Sequence, residues 1–358
     1  MSLRPRARIH LKNIAENWQT LRHAQAEGIT GAVVKADAYG HGISPVATAL
    51  HDAGCDHFFV AHLFEAETVR RTLGSHPEIY VLNGPAPDEE VTYRELAITP
   101  VVNSRQQFMV LVDWLQEGQN LPRGYALHFD TAMNRLGLPA EDALSVAEAC
   151  EGREPKLIMS HLACAEDAAA PLNETQRLLF TKVCEAFPGI ASSLSNSGGV
   201  WLGGPYHQTL SRPGIGLYGG GVPPEAVTLK PGLTLEAPIL QIHAAKTGET
   251  VGYGATWRAR EPTLLATLAI GYGDGLPRSA SNRGFVTLDG VRCPIVGRVS
   301  MDLITVDITA ARDLARPGVF AQIIGDEAPL EEQAALAGTI GYELTTGLTA
   351  RVERIYED

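Results

Sequence analysis

Short apolar runs alternate with amphipathic stretches through the first part of the chain. The run "GAVVKAD" is followed by the helix-compatible stretch "ISPVATALHDAG", and the same alternation then continues. The eight β-like runs are "GAVVKAD", "HFFVAH", "EIYVLNG", "AITPVV", "YALHFDT", "KLIMSHLA", "IASSLSNS" and "TLSRPGIGLYGG". Alternating strands and helices predict parallel βαβ units, and eight such units favour a closed (β/α)8 TIM barrel over an open doubly wound sheet.

The pattern changes at the glycine- and proline-rich segment "RPGIGLYGGGVPPEAVTLKPG", residues 212–232. Such a composition is typical of loops and linkers. Beyond it, runs such as "ILQIHAAK" and "DLITVDI" are β-like, the Asp289-Gly290 pair indicates a hairpin, and "LEEQAALAG" predicts one short helix. We therefore predict an α/β protein with a barrel at residues 10–228 and a mostly antiparallel C-terminal β-domain at residues 229–358, which also includes residues 1–9.

Composition narrows the classes of partner. The 358 residues are 45% hydrophobic and 20% charged, with a net charge of −12, which argues against nucleic acid or an anionic membrane as partner and favours a small molecule. The start "MSLRPRARIH" lacks the apolar region of a signal peptide, and apolar runs such as "LLATLAI" are shorter than the ~20 residues of a membrane helix. We expect a cytoplasmic protein.

Cysteine and histidine spacing predicts neither disulfides nor a metal site. The five cysteines form no CxxC pair, and their odd number leaves one over in any pairing scheme. The eleven histidines include no HExxH motif. We predict reduced thiols and no metal.

Candidate chemistry lies where the predicted barrel strands end, because (β/α)8 enzymes carry their catalytic groups there. The strand-end residues are Lys35, His128, Asp130 with Arg135 beyond it, His161, Ser195, Asn196, Ser197 and Arg212 to Ile215. Hydroxyls and backbone N–H groups after the last two strands suit a phosphate. A strand-end lysine can form a Schiff base with an aldehyde cofactor or a carbonyl substrate, but for a lysine taken in isolation the favoured interpretation is that it only extends to solvent.

A set of motifs resembles one family. In chain order they are "AVVKADAYGHG", "HFDTAMNRLG", "SHLACAEDA", "SNSGG", "RPGIGLYG", "VGYGATW", "IGYGDGLPR" and "GRVSMDLITVDI". Together they resemble alanine racemase, an enzyme of fold type III that depends on pyridoxal 5′-phosphate (PLP) and combines a barrel with a β-domain. The resemblance extends from near residue 10 to at least residue 308.

The resemblance implies a PLP site in the barrel. Lys35 is expected to form the internal aldimine and to serve as one of two bases. Arg212 is expected opposite the pyridine nitrogen, where a guanidinium can only donate a hydrogen bond and so keeps that nitrogen unprotonated. His161 is expected in the network of Arg212 and Tyr272. The phosphate contacts implied are Tyr39, Ser197, Gly214 and Ile215.

The second base implied by the resemblance is Tyr272 of "IGYGDG", on the face of the substrate opposite Lys35. In the family this tyrosine comes from the other subunit, which implies a head-to-tail homodimer with shared active sites. Arg135, Met301 and Asp302 are expected near the substrate carboxylate. The implied reaction is interconversion of L- and D-alanine by proton abstraction at Cα of the external aldimine.

Two positions depart from the family pattern. Many members carry a carbamylated lysine where this chain has His128, so we expect His128, an anion or water to orient Arg135 instead. Many also have a phosphate-contacting tyrosine before an Arg-Val pair, where this chain has Ala350; the nearest tyrosine, Tyr356, is not assigned that role.

Several functions remain to be weighed against racemisation of alanine for peptidoglycan or for catabolism. A racemase of serine or of broader specificity is the main alternative, because a small apolar pocket rejects an extra hydroxyl poorly. A related decarboxylase is disfavoured because its usual motifs are missing. A PLP-homeostasis protein is disfavoured by the second domain with its "IGYGDG" and "VSMD" motifs, and no feature favours a scaffolding role.

Overall fold

A computed structural model describes residues 3–116 and 121–358 of the chain. Residues 1 and 2 of the predicted 1–9 segment lie outside the described residues. The barrel strands are β2 (Ile29–Thr30), β3 (Ala32–Val33), β4 (His57–Val60), β5 (Glu78–Val81), β6 (Thr99–Val102), β7 (Ala126–Asp130), β8 (Leu138–Pro139), β9 (Leu157–Met159), β10 (Ala191–Ser193) and β11 (Leu210–Ser211).

The helices of this half are α1 (Leu11–Gln25), α2 (Lys35–Tyr39), α3 (Ile43–Asp52), α4 (Leu63–Leu73), α5 (Glu90–Glu95), α6 (Arg105–Gln116), α7 (Ala143–Ala149), α8 (Pro171–Glu185), α9 (Ser197–Trp201) and α10 (Gly204–His207). Helix α4 shows why they form: Ala66 and Val69, three residues apart, are fully buried on one face. Its first turn carries Glu65, as the positive helix N-terminus favours.

The parallel strands form a curled sheet in the order β10-β9-β7-β6-β5-β4-β3, while β2 pairs with β11. The ring is completed by backbone hydrogen bonds such as Arg212 N to Ser195 O at 2.8 Å and Gly31 N to Ser211 O at 2.9 Å. The predicted barrel is thus confirmed. Its first strand is split at Gly31, because β2 pairs with β11 and β3 pairs with β4.

The second half contains β12 (Leu233–Ala245), β13 (Thr250–Val251), β14 (Trp257–Arg258), β15 (Thr263–Leu268), β16 (Phe285–Leu288), β17 (Val291–Pro294), β18 (Ile304–Asp307), β19 (Phe320–Ile324) and β20 (Glu353–Glu357), with α11 (Leu330–Ala337) and α12 (Gly341–Thr346). The 3₁₀ turns among the described residues are Ala140–Asp142, Ile215–Tyr218, Tyr253–Ala255, Arg278–Ala280 and Thr309–Ala311. Strand β1 (Arg6–His10) also belongs to this sheet, antiparallel to β12 and parallel to β20.

The mostly antiparallel character of this second half is as predicted, apart from the parallel β1–β20 pair. The Asp289-Gly290 hairpin joins β16 to β17, with φ of 48° and 78° at its two central residues, as a primed turn requires. Helix α12 was not predicted, because its sequence "GYELTT" is poor in helix formers. The division near residue 228 stays a prediction. Within the described ranges, no helix has both the length and the apolar character to cross a bilayer.

Candidate active site

A cavity of about 610 Å³ opens at the carboxyl ends of the barrel strands. Ten residues predicted to form the site line it: Lys35, Tyr39, His128, Arg135, His161, Asn196, Ser197, Arg212, Gly214 and Ile215. They come from five different strand ends, so only closure of the barrel brings them together. This position is where (β/α)8 enzymes carry out their chemistry.

Lys35 begins an unusual turn rather than ending a strand. Strand β3 stops at Val33, and the four residues from Ala36 to Tyr39 all have left-handed φ values between 53° and 55°. The turn buries the Tyr39 ring, which stacks on Tyr218 with centroids 4.8 Å apart. Burial lowers the pKa of Lys35, and the positive charges of Arg135 and Arg212 lower it further. The carboxylate of Glu65 acts in the opposite direction. A lowered pKa makes the neutral, basic amine more accessible.

Arg212 is buried, and its guanidinium has three polar neighbours. Its guanidinium donates to Ser193 Oγ and, over 2.6 Å, to Ser160 O, while Nη2 lies 3.5 Å from His161 Nδ1. Burial lowers the pKa of Arg212 to about 9, so it keeps its charge at neutral pH. The pKa of His161 is well below its usual value because of burial and the neighbouring Arg212. Since arginine can only donate, His161 Nδ1 accepts and its ring proton is on Nε2.

Ser197, Gly214 and Tyr39 converge on one wall of the cavity. Ser197 Oγ accepts from Gly214 N at 2.9 Å and from Gly216 N at 3.1 Å, which leaves its own O–H proton to be donated elsewhere. A Cβ added to Gly214 would lie 2.4 Å from Tyr39 Oη, so the tyrosine hydroxyl rests against the glycine backbone. This wall offers two hydroxyl donors side by side.

His128 lies on β7 and lines the cavity from a buried position. Its Nδ1 is 2.8 Å from Asn103 Oδ1. Burial lowers the pKa of His128 to about 3, with smaller contributions from the charges of Arg212 and Arg135. The ring is therefore neutral. Arg135 itself is exposed on the loop after β7 and faces the cavity.

The cavity is strongly cationic. Lys35, Arg135 and Arg212 line it, and no aspartate or glutamate is found among its lining residues in the described part of the chain. Buried Arg212 and half-buried Lys35 in particular are stabilised by an anionic partner. A ligand carrying a phosphate, a phenolic oxygen and a carboxylate matches these donors, so the residues fit PLP together with an amino acid.

Three predicted site residues lie elsewhere. Tyr272, Met301 and Asp302 are in the β-domain, on two loops joined by hydrogen bonds from Tyr272 N to Ser300 O at 3.0 Å and from Gly273 N to Met301 O at 2.8 Å. Asp302 pairs with Arg351 at 2.6 Å. The side chains of Tyr272 and Met301 are 43% and 53% exposed, and neither lines the cavity of its own chain.

Tyr342 and Thr346 line the cavity but were missed in the sequence. They lie on α12, and only the packing of the β-domain against the barrel brings them there. Tyr342 Oη donates to Glu166 Oε1 at 3.1 Å, and its ring lies 6.0 Å from that of Tyr39. No local signal marks them. Tyr356 instead packs against Gly42 and is not a lining residue.

One group of described residues has metal-ligand spacing: His51, Asp56 and His76. This group lies near the amino-terminal ends of β4 and β5, whereas the cavity lies at the carboxyl ends of the barrel strands. His51 Nδ1 is 3.2 Å from Cys55 O and 3.1 Å from Asp56 Oδ1, so it is a hydrogen-bond donor rather than a free ligand. The absence of a metal stays a prediction.

Comparison with known proteins agrees with this geometry. Family models described as "Alanine racemase, N-terminal domain" and "Alanine racemase, C-terminal domain" match residues 9–222 and 232–356. An alanine racemase of Methylobacterium nodulans is 45% identical, over 98% of this chain and 95% of its own. A catabolic alanine racemase of Agrobacterium fabrum is 43% identical, over 97% and 91%. The crystal structure of alanine racemase from Bartonella henselae with covalently bound pyridoxal phosphate is 36% identical, with a TM-score of 0.93 over 99% of this chain and 100% of that one.

Proposed function

The chain belongs to the alanine racemase family, and on this premise we propose how its own residues carry out the reaction. It is a PLP-dependent isomerase that interconverts L-alanine and D-alanine, for peptidoglycan or for alanine catabolism. The residue roles are supported above all by the cationic cavity around Lys35, Arg135 and Arg212.

Bound PLP withdraws electrons from Cα of the substrate and so makes its proton easier to remove. We assign Lys35 as the residue that holds the cofactor covalently and as one base. Its lowered pKa favours this role, because a base must be unprotonated to accept the Cα proton. Ser197, Tyr39 and the backbone of Gly214 and Ile215 hold the phosphate in this proposal, which the paired hydroxyls support; Gly214 N, which donates to Ser197 Oγ here, would share its proton with the phosphate.

Arg212 faces the pyridine nitrogen in this proposal. The guanidinium donates to Ser193 Oγ and Ser160 O, and these two acceptors fix its plane. The direction of the remaining N–H groups of Arg212 is thereby fixed as well. A fixed donor leaves the ring nitrogen unprotonated, which makes PLP a weaker electron acceptor and limits side reactions such as transamination. His161 is a neutral ring beside Arg212 and adds no further positive charge there.

Tyr272 is the second base. Inversion at Cα requires a proton acceptor on one face and a donor on the other, and Tyr272 does not line the cavity of its own chain. We therefore propose a head-to-tail homodimer in which Tyr272, Met301 and Asp302 of each chain complete the cavity of the other. Exposed apolar side chains on the loop that is hydrogen-bonded to Tyr272, with Met301 53% and Leu303 40% exposed, support a covered surface.

Arg135 binds the substrate carboxylate and the phenolic oxygen of PLP. No aspartate or glutamate of the described residues lines the cavity with it, so its charge is available to a ligand. His128, fixed by Asn103, takes the place of the family's carbamylated lysine beside it. Met301 from the partner chain narrows the pocket for a methyl side chain.

One assay tests the function. The purified chain with PLP is expected to interconvert L- and D-alanine, and Lys35→Ala and Tyr272→Phe are expected to abolish the reaction. Borohydride reduction followed by peptide mapping should find the cofactor on Lys35. A label on another lysine, or full activity in Tyr272→Phe, would contradict the residue roles. The same assay with serine and larger amino acids tests the alternative of broader specificity.

The proposal also includes a cytoplasmic location and a homodimer. Fractionation of the source cells and gel filtration of the purified chain test them. Recovery of the chain outside the cytoplasm, or a fully active monomer, would contradict them.

A further inference from the structure

The turn that carries Lys35 is strained. Four consecutive residues, Ala36, Asp37, Ala38 and Tyr39, are left-handed without a glycine among them. In L-residues this conformation brings Cβ close to the next carbonyl oxygen, so it persists only where the surroundings hold it. The geometry of Lys35 and Tyr39 in the cavity therefore depends on whatever fixes this turn.

Part of the support is internal. Ala38 N donates to Val34 O and Gly40 N donates to Ala36 O, both at 2.9 Å, and Asp37 Oδ1 accepts from Ile43 N at 2.8 Å. These bonds hold the middle and the end of the turn. They leave the N–H of Ala36, which belongs to the peptide directly after Lys35, to be satisfied from another element.

That element is α4. The carboxylate of Glu65, only 6% exposed, accepts from Ala36 N at 2.7 Å through Oε1. Through Oε2 it accepts from Ala61 N at 2.8 Å and His62 N at 3.0 Å, which is the ordinary capping of a helix start. Capping needs only one of the two oxygens. The other reaches 29 residues back along the chain to the residue beside Lys35.

We propose that Glu65 is a positioning residue for the reaction: its carboxylate fixes the peptide between Lys35 and Ala36 and so sets the direction in which Lys35 enters the cavity. The inference rests on the proposed function, since it concerns the lysine assigned to hold PLP. A rotation of this peptide would move Lys Nζ, at the end of four methylenes, away from the cofactor carbonyl. It would also move Tyr39, at the other end of the turn, from the phosphate.

Helix capping alone is the competing explanation, and the chain offers a matched control. Glu89 likewise accepts from the backbone N–H three residues before it, from Ala86 N to Oε2 at 2.9 Å, in the turn that leads into α5, and it is not a lining residue of the cavity. Loss of either carboxylate removes a hydrogen bond from a backbone N–H three residues earlier in the chain. Only loss of Glu65 releases the turn of Lys35.

The experiment compares Glu65→Ala, Glu65→Gln and Glu89→Ala in the PLP-loaded enzyme. The dissociation constant of PLP, the yield of borohydride fixation at Lys35, and kcat and KM for L-alanine are measured, with the melting temperature as a measure of capping. We expect Glu65→Ala to weaken PLP binding and lower kcat by about tenfold or more, as loss of one hydrogen bond to a carboxylate predicts. KM is expected to change little.

Glu65→Gln is expected to fall between the wild type and Glu65→Ala, because its amide oxygen can still accept from Ala36. This variant carries the test if Glu65→Ala does not fold. Glu89→Ala should lower the melting temperature, because it removes the hydrogen bond from Ala86 N, while PLP affinity and kcat stay within about twofold of the wild type. The inference is overturned if the Glu65 variants match Glu89→Ala in PLP affinity, fixation and kcat.

The experiment distinguishes a failure of the proposed function from a failure of the role proposed for Glu65. A wild-type chain that binds PLP on Lys35 but does not racemise alanine would contradict the activity, while PLP affinity and fixation in the same variants would still decide the role of Glu65.

Discussion

His128 Nδ1 donates its proton to Asn103 Oδ1 over 2.8 Å. The direction is fixed because Asn103 Nδ2 is already a donor, to Val101 O at 2.7 Å and to Leu82 O at 2.9 Å, so that only Oδ1 remains to face the histidine. The neutral ring therefore carries its lone pair on Nε2. Where many family members have a negatively charged carbamate, this chain has a neutral acceptor.

A neutral histidine predicts independence from carbon dioxide. Carbamate forms by reaction of an uncharged amine with CO₂, and imidazole in this position has no such requirement. We expect racemisation by the wild type to be the same in degassed buffer and in buffer with added bicarbonate. His128→Lys provides the control, because a lysine buried beside Arg135 and Arg212 favours its neutral amine. Its activity should be low in degassed buffer and rise with bicarbonate.

The two buffers are compared at one pH and one ionic strength. A wild type whose activity rises with bicarbonate would contradict the neutral role of His128.

Gly214→Ala is expected to weaken PLP binding sharply. The new Cβ would lie 2.4 Å from Tyr39 Oη and 3.1 Å from Tyr39 Cζ, so the tyrosine must leave the phosphate wall. We expect a loss of PLP affinity of about tenfold to a hundredfold, as for one or two polar contacts to a charged group. Fluorescence titration of PLP measures it.

Two variants separate this clash from a general effect. Gly204→Ala adds a Cβ with no heavy atom within 4 Å and should bind PLP normally. Adding Tyr39→Phe to Gly214→Ala removes the atom in the closest contact, so the two changes together should lose less affinity than the sum of their separate effects. Strict additivity would contradict the contact.

Complementation between inactive variants tests the shared site. Lys35→Ala and Tyr272→Phe homodimers are each expected to be inactive. After the two are mixed, unfolded and refolded together, half of the dimers contain one chain of each kind, and each of these has one intact cavity. We expect about one quarter of the wild-type activity, since half of the dimers have one working site of two.

The control is each variant refolded alone, which should stay inactive. If Tyr272 acted within its own chain, mixing would give no intact site and no activity would return.

The barrel and most of the cavity could be predicted from the sequence because they rest on local patterns. Strand ends carry the chemistry in this fold, so Lys35, His161 and Arg212 could be assigned to one place before their contacts were known. Tyr342 could not, because α12 is far along the chain and reaches the cavity only by domain packing. The left-handed turn could not either, since alanine in "KADAY" gives no sign of positive φ.

Buried neutral histidines predict a steep loss of stability in acid. His41 is fully buried, with Nδ1 donating to Ala38 O and Tyr39 O at 3.0 Å, and burial lowers its pKa to about 4. His128 has a pKa of about 3, and that of His161 is also depressed. Below an unfolded-state pKa of about 6.5, the unfolded chain binds protons that the folded chain excludes. The contribution of these neutral histidines to the free energy of unfolding is therefore fully present above a pH of about 6.5. It is lost as the pH falls towards their pKa values in the folded chain.

Urea unfolding at pH 7, 6 and 5 measures this loss in the cofactor-free chain. From the slope of linkage, each excluded proton removes about 1.4 kcal/mol of unfolding free energy per pH unit once the unfolded histidine is protonated. His41→Gln should lower stability at pH 7, because it disturbs the support of the Lys35 turn, yet it should flatten the dependence between pH 6 and 5 by about one proton. An unchanged slope in that variant would show that His41 takes up its proton in the folded chain.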